Sequence, residues 1–563
     1  MMRIRRWMDM GASFAKRHGR ARQSASIDVW GVAALALAAL VALPIGGVLV
    51  SALVGEGTAL SASGGPALPR YIASTALLLM LACSLALVVG TGCAWLVSAA
   101  RFPGRAVFEW ALILPLAVPA YIAGYAYGDL FDFAGPVQSA LRELTGWAAG
   151  DYAFPAIRSL PGGAFVLGIV LYPYVYLLAR AAFRAQAARQ FAAARSLGAG
   201  PVRAFWRIAL PAARPAIAGG LALVGMEVLA DFGVAQYFGI ATFSTGIFRS
   251  WLAMGDRQAA LQLAGVMLAF VAVLVALEAG SRRGEPSGRD GPQPGSDATP
   301  LITLGPAGRW TASACCALPV VLGFLVPAIH LAILAVEPSG LSAPGDLAAY
   351  LRSSLILGGA AALICLLASL LLAFARARTS SGLAAGAIRV STLGYALPGA
   401  LLAVGLLAPL AAFDIGLTRF ARDALGYSGG LILTGSGMIL IYALCVRFLT
   451  VAYNTVDAGL RRIPPSLDAA ARTLGAAPSR VLARIYVPLL SPSLAAASAL
   501  VFIDTLRELP ATLILRPFNF ETIATRTYRL ASDERLAEAA TPALILIAAG
   551  LLPVLLIARS ARR

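Results

Sequence analysis

Four carboxylates stand where carboxylates are costly. Glu227 and Asp231 lie four residues apart inside an apolar run, and 277 positions further on Asp504 and Glu508 repeat the pair. Spacing of i,i+4 places each pair on one helix face. Counted from Pro215 or Pro492, the first member of each pair lies roughly 18 Å along a helix and the second roughly 24 Å. An ionised side chain near the centre of a bilayer costs about 2.5–3.5 kcal/mol, less toward the interface. Twofold repetition of that cost argues for a polar path facing the interior of a helix bundle. Hard cations take oxygen ligands, so Glu227, Asp231, Asp504 and Glu508 can serve as transient ligands of an ion in passage, without forming a firm metal site. A structural ion-pair network is the alternative, because Arg507 stands at i,i+3 from Asp504. Arg507 and Arg516 also admit an anionic cargo, or an anion travelling with a metal.

Two proline breaks accompany the acids. Leu114-Pro115-Leu116-Ala117-Val118-Pro119 and Ala396-Leu397-Pro398-Gly399 interrupt apolar runs at matching places. Proline removes a backbone donor, so carbonyls are freed there unless a neighbour covers them. Pro119 and Pro398 therefore mark a translocation path, or else a packing kink.

The elements that must position these residues are membrane spans. The chain has 563 residues, of which 59% are hydrophobic and 13% charged, and a mean hydropathy of +0.79. Windows of about 20 apolar residues recur along its length, which identifies an all-α polytopic membrane protein. Twelve spans are expected, at about 30–53, 71–99, 107–127, 162–183, 215–235 and 258–280, then 312–336, 351–376, 389–413, 431–453, 493–513 and 539–558. Most of the 45 Lys and Arg fall in alternate loops and tails. That bias puts those loops and both termini in the cytoplasm, and it explains the net charge of +18 without nucleic acid. The domain reading is a basic cytoplasmic tail at 1–28, a first half at 29–280, a linker at 281–310 rich in Gly, Pro, Ser and charge, and a second half at 311–563. The apolar run from Trp30 is too long for a signal peptide and is read as a retained span. The six cysteines fall in apolar runs without a CxxC pair and read as small core residues. With only His18 and His330 present, a histidine metal site is not expected, nor is a His–acid pair near a span.

A polar, basic loop occurs twice between the fourth and fifth spans. Ala194, Arg195, Leu197, Gly198, Pro201, Arg203, Arg207 and Pro211 recur, 277 positions on, as Ala471, Arg472, Leu474, Gly475, Pro478, Arg480, Arg484 and Pro488. A register this long without a gap is an internal duplication. Each copy reads as a helix–turn–helix at the membrane surface, with its glycine at the turn and two arginines at i,i+4 on one face. The face is a docking surface, or rests among headgroups.

Both loops resemble the signature loop of the membrane subunits of binding-protein-dependent ABC importers: Glu-Ala-Ala, a gap, Gly, then a distant hydrophobic residue and Pro. Here it reads Ala192-Ala193-Ala194, Gly198, Leu210-Pro211 and Ala469-Ala470-Ala471, Gly475, Val487-Pro488. Alanine replaces the glutamate in both copies. The resemblance covers nearly the whole chain as two fused permease halves, with the fold of type I importer permeases. It implies that each loop forms a coupling helix in the groove of a cytoplasmic ATPase. It further implies two ATPase copies, an extracytoplasmic solute-binding protein and a bacterial inner-membrane location. Glu227 to Gly233, Tyr237-Phe238-Gly239, Met254 to Arg257, Asp504 to Thr512 and Leu515 to Phe518 resemble the ferric-iron branch of that family; related branches carry thiamine, phosphonates, sulfate or polyamines.

No Gly-x-x-x-x-Gly-Lys-Ser/Thr frame surrounds Lys16, the one lysine, so ATP and Mg are expected on a partner ATPase and no cofactor on this chain. A channel or secondary transporter is the rival class. A membrane enzyme finds no HExxH or GxSxG to support it, and no catalytic residue is assigned.

Overall fold

The computed structural model describes residues 29–54, 67–148, 150–196, 200–281, 302–340, 344–378 and 381–560. The basic tail and the body of the linker lie outside them. Among the described residues, eleven helices are long and apolar enough to cross a bilayer. A further pair, Arg105–Ala117 and Ala120–Thr145, is bent by 88° and makes a twelfth crossing when taken as one span. Val88, Leu277, Ile333 and Leu367 point outward, 57–71% exposed. Helices that are apolar all round, with no polar stripe, face lipid on the outside.

In chain order the main helices are α1 (Val29–Val54), α2 (Leu68–Ala99), α3 (Arg105–Ala111), α4 (Ala120–Phe131), α5 (Leu160–Ser196), α6 (Leu210–Ala230), α7 (Gly233–Tyr237) and α8 (Arg257–Ser281). The second half adds α9 (Pro306–Val320), α10 (Val326–Ala335), α11 (Pro344–Arg378), α12 (Gly399–Leu425), α13 (Met438–Leu460), α14 (Pro465–Thr473), α15 (Val487–Arg507), α16 (Pro510–Leu515) and α17 (Leu536–Ser560).

Two apolar cores form, and they do not follow the sequence halves. One joins α2, α4, α5 and part of α6 with Cys316 and Leu331 from α9–α10 and with Ala540, Ala543 and Leu546 from α17. The other joins α11, α12, α13 and α15 with Ala34, Ala38 and Val48 from α1 and with Ala260, Ala264 and Met267 from α8. Each half therefore lends its first and last spans to the other half's core. Close approach makes the exchange possible: Gly47 packs on the backbone of Gly405, and a Cβ at Gly405 would lie 2.8 Å from Val48 Cγ2. Small residues let membrane helices approach this closely.

The duplication is visible in local detail. Thr242 and Thr245 form a capping box, as do Thr522 and Thr525. The next backbone N–H is taken by Thr75 Oγ1 in one half and Ser354 Oγ in the other. Both proline breaks have one geometry: a 3-10 turn at Leu114–Ala117 or Gly394–Ala396, then an extended proline, Pro119 or Pro398, heading α4 or α12.

The last residues of the 281–310 linker join the bundle: β2 (Ile302–Thr303) pairs in parallel with β1 (Ala100–Arg101), and Pro306 starts α9 from a glycine cap. Two expectations change. The fifth span begins well before Pro215 and Pro492, with continuous helix from Val202 and Pro478. A proline in a first turn is tolerated, and each later one is carried by a helix already running. The expectation of no His–acid pair near a span fails, because His330 Nε2 on α10 meets Asp129 Oδ2 on α4 at 2.7 Å. Two hundred residues of chain separate them, so no local spacing announced the pair. All six cysteines are free thiols.

Gly405→Val inserts bulk between α12 and α1, where a Cβ already meets the Pro44 carbonyl at 2.5 Å. Overpacking of this kind costs about 1–3 kcal/mol. A lowered thermal unfolding midpoint in detergent, with α1 more open to protease, is the expected result.

Candidate functional site

The four acids gather around one cavity of about 160 Å³ between the halves. Pro119, Tyr121, Tyr174, Tyr395, Arg447 and Arg507 share the lining with them. Pro398 heads its helix close by but does not line the cavity.

The acids do not share a helix face as the spacing implied. α6 stops at Ala230 and α15 at Arg507, so Asp231 and Glu508 are extended residues just past the helix ends. Each turns to cap the short helix that follows. Asp231 accepts from Val234 N at 3.4 Å and Ala235 N at 3.0 Å, and Glu508 Oε1 accepts from Ala511 N at 3.2 Å. Carboxylates at a helix N-terminus satisfy otherwise orphaned donors. The broken ends sit in matching positions of the two halves, as in carriers whose sites lie at interrupted helices.

The anticipated Asp504–Arg507 ion pair is not formed. Arg507 reaches across to the other half, where Nη1 donates to Leu116 O at 2.9 Å and Nη2 to Ala117 O at 2.6 Å. These are carbonyls freed by the proline break. Gly550 on α17 makes room, since a Cβ there would collide with the guanidinium. The ion pair that does form is Arg447 Nη1 to Glu508 Oε2 at 2.8 Å, with both side chains under 10% exposed. It is close but poorly aligned as a hydrogen bond, and Arg447 Nε finds no partner among the described residues. Tyr395 donates to Glu227 Oε1 at 2.9 Å.

Arg447, Tyr174 and Tyr395 escaped the sequence reading. Arg447 carried a signal, as a lone cation in the apolar run Leu444-Cys445-Val446-Arg447-Phe448-Leu449. It has no repeat partner, because Val170 holds the matching place. The acids line the cavity at separate points: no three His, Cys, Asp or Glu side chains among the described residues converge to hold an ion.

The duplicated loops are described unevenly. In the first copy Leu197 and Gly198 lie outside the described residues, as do the side chains of Ala194, Arg195 and Pro201. Arg203 and Arg207 are exposed, and Pro211 is half-buried. In the second copy Ala471 is buried, while Pro478, Arg480, Arg484 and Pro488 are exposed; the side chain of Arg472 is not described. Gly475 has φ of 74°, a left-handed turn for which glycine is suited. Leu474 beside it is 86% exposed. Each loop runs into its span through a π-helical turn, Phe205–Ala209 and Leu482–Tyr486, again 277 positions apart. Near each loop a polar knot ties down the end of the fourth span. Glu109 Oε1 takes Arg180 at 2.7 Å and Arg184 at 2.8 Å. Asp457 Oδ2 takes Arg376 at 3.2 Å and Arg461 at 2.9 Å. Arg180 and Asp457 occupy the same repeat position with opposite charge.

Two intertwined half-bundles, a polar cavity at broken helices and a paired surface loop define a multi-pass membrane transport protein. The sequence model described as binding-protein-dependent transport system inner membrane component matches residues 86–279. The Fe(3+)-transport system permease protein FbpB 2 of Haemophilus influenzae is 26% identical over 502 residues, 88% of this chain and 91% of that one. The molybdenum transport system permease protein ModB of Escherichia coli is 30% identical over 145 residues, 26% of this chain and 60% of its own length. The sulfate transport system permease protein CysW of Escherichia coli is 30% identical over 162 residues, 29% of this chain and 53% of its own. Residues 86–279 thus carry the likeness to that family's model, and the chain, with its two duplicated halves, is similar along most of its length to an iron-transport permease.

Arg447→Gln strands Glu508 as a buried unpaired charge, a loss of about 3–5 kcal/mol. Membrane protein level is expected to fall sharply in that variant and to recover in Arg447→Gln/Glu508→Gln. Quantitative blotting of the membrane fraction reads both.

Proposed function

We propose that the chain is the permease subunit of an ABC importer in a fused two-half form, and that it imports ferric iron across a bacterial inner membrane, with ATP and Mg bound by a partner ATPase. The observation that carries the reading is the iron-transport relative, which aligns along 88% of this chain; the molybdenum and sulfate relatives match 26% and 29% of it. The cavity supports it chemically. Carboxylate and phenol oxygens from Glu227, Asp504, Tyr174 and Tyr395 line it, and hard cations favour such donors. A solute-binding protein delivers the ion from outside, and both termini lie in the cytoplasm, in keeping with the arginine bias. Two ATPase copies grip the two loops, and their closure drives the halves to alternate access around the cavity.

Leu474 supports the loop assignment, because an apolar side chain 86% exposed on a polar loop suits a hydrophobic groove on a partner.

Vesicles containing the permease, its ATPase and its binding protein are to be offered ferric iron, molybdate, sulfate and 2-aminoethylphosphonate in turn. ATP-dependent accumulation of iron alone is expected. Accumulation of an oxyanion alone, or solute movement without ATPase and ATP, would replace the reading with one of its rivals.

Leu474→Asp alters an exposed side chain and leaves folding intact. Co-purification of the ATPase is expected to drop at least tenfold, with uptake following it, at unchanged membrane level. Full co-purification would leave the loop resting on headgroups.

A further inference from the structure

The span that carries the first loop also grips the approach to the first proline break. α5 is one helix of 37 residues, from Leu160 to Ser196 at the base of the loop. Its Leu167, Val170, Leu171 and Tyr174 line the cavity. Toward the loop, Tyr176, Arg180 and Arg184 follow at i,i+4 spacing on one helix face. All three close on Glu109 of α3. Tyr176 Oη donates to the Glu109 carbonyl at 2.9 Å, and Arg180 Nη1 donates to the same oxygen at 3.2 Å. Arg180 Nη2 and Arg184 Nη2 meet Glu109 Oε1 at 2.7 and 2.8 Å. The start of α3 is fixed as well, because Arg105 Nε donates to Val97 O on α2 at 2.7 Å.

α3 leads into the break. Just beyond it the 3-10 turn Leu114–Ala117 begins, and the carbonyls of Leu116 and Ala117 hold Arg507. A contiguous set of contacts therefore runs from the loop through α5, Glu109 and the break to the broken end of α15 in the other half. Helices and packed, hydrogen-bonded interiors are the rigid parts through which a displacement travels.

The second half has the same helix face and a different grip. Tyr453 and Arg461 match Tyr176 and Arg184, 277 positions on, but Asp457 replaces Arg180 and Gly386 stands in the place of Glu109. Gly386 has no carboxylate to hold. Tyr453 and Asp457 instead bind Arg376 of α11, at 3.1 and 3.2 Å. The face is thus tied to the second span of its half, not to the helix before the break. The second break meets α13 at mid-span through Thr450, whose hydroxyl accepts from Tyr395 N at 3.4 Å and donates to Thr392 O at 3.1 Å. α13 stops at Leu460, and α14 begins only at Pro465.

Buried ion pairs return little net stability, so what such knots supply is position. We propose that Glu109 is a positioning residue for transport: α5 holds it so that movement of the first loop shifts the cavity wall at Pro119, and the second loop lacks this hold. This rests on the importer reading, in which the loops dock an ATPase.

The full importer in vesicles tests it, with ferric iron as solute and with uptake and ATP hydrolysis measured on the same preparation. Glu109→Gln keeps the backbone part of the grip and removes the charge. Asp457→Asn is the matched control, an acid also shared by two arginines. Glu109→Gln is expected to hydrolyse ATP at close to the unaltered rate and to move about tenfold less iron per ATP. In Asp457→Asn that ratio is expected to stay unchanged, at whatever membrane level the variant reaches. Should Glu109→Gln not reach the membrane, Glu109→Asp keeps the charge and shortens the tie, and a fall in the same ratio is expected from it.

An unchanged ratio in the Glu109 variant overturns the proposal. An equal fall in Asp457→Asn also overturns it, since both knots would then be general supports of the fold. So does loss of ATPase co-purification from the Glu109 variant, because the knot would then shape the docking surface. Uptake of molybdate or sulfate in place of iron by the unaltered importer overturns only the ferric reading, and the ratio is then read with that oxyanion. No ATP-dependent uptake of any of these solutes overturns the importer reading itself, and the proposal with it.

Discussion

Backbone carbonyls inside a membrane must find donors within the protein, and the cavity is organised around that requirement. The break before Pro119 opens the carbonyls of Leu116 and Ala117, which would otherwise face hydrocarbon. Arg507 closes them from 390 residues away in sequence. The contact joins the two halves at their interface, fixes the guanidinium against α4, and draws it off Asp504. A single long side chain therefore seals the break, ties the halves and leaves a carboxylate free on the lining.

The second tie is electrostatic. Arg447 and Glu508 neutralise each other with little access to water. Such pairs return little net stability over apolar residues of the same shape, but removing one partner is severe. The pair therefore reads better as a device for fixing the broken end of α15 than as a source of stability. Asp231, its counterpart in the first half, has no arginine and is held by backbone N–H groups instead. The two ends are equivalent in backbone and different in charge.

Much of this architecture was legible in the sequence, for identifiable reasons. Span number and duplication rest on composition and a fixed period, both long-range averages that single residues cannot blur. The loop turn was legible because Gly475 sits where a left-handed conformation is needed. The acids were found because charge in an apolar run is conspicuous. Their conformation was not, because a helix that ends at Ala230 or Arg507 looks the same in sequence as one that continues. The alternative of an Asp504–Arg507 pair is not realised, since i,i+3 spacing sees one helix and Arg507 bonds across the halves. Arg447 is not marked by the repeat, because Val170 holds the matching place. The exchange of first and last spans was invisible, because lipid-facing and core-facing apolar residues share one composition.

The arginines lie on one side of the repeat only, and this bears on how such a chain can have arisen. A homodimer built from the first half would surround its axis with two copies of Glu227 and Asp231 and no cation. One built from the second half would place four arginines opposite four acids. Neither ancestral pairing reproduces the present cavity, with four acids and two arginines. Covalent fusion removes the obligation that a symmetric dimer imposes, namely that every charge near the axis appears twice. In the fused chain a charge on one half needs no copy on the other, and the interior is free of that symmetry.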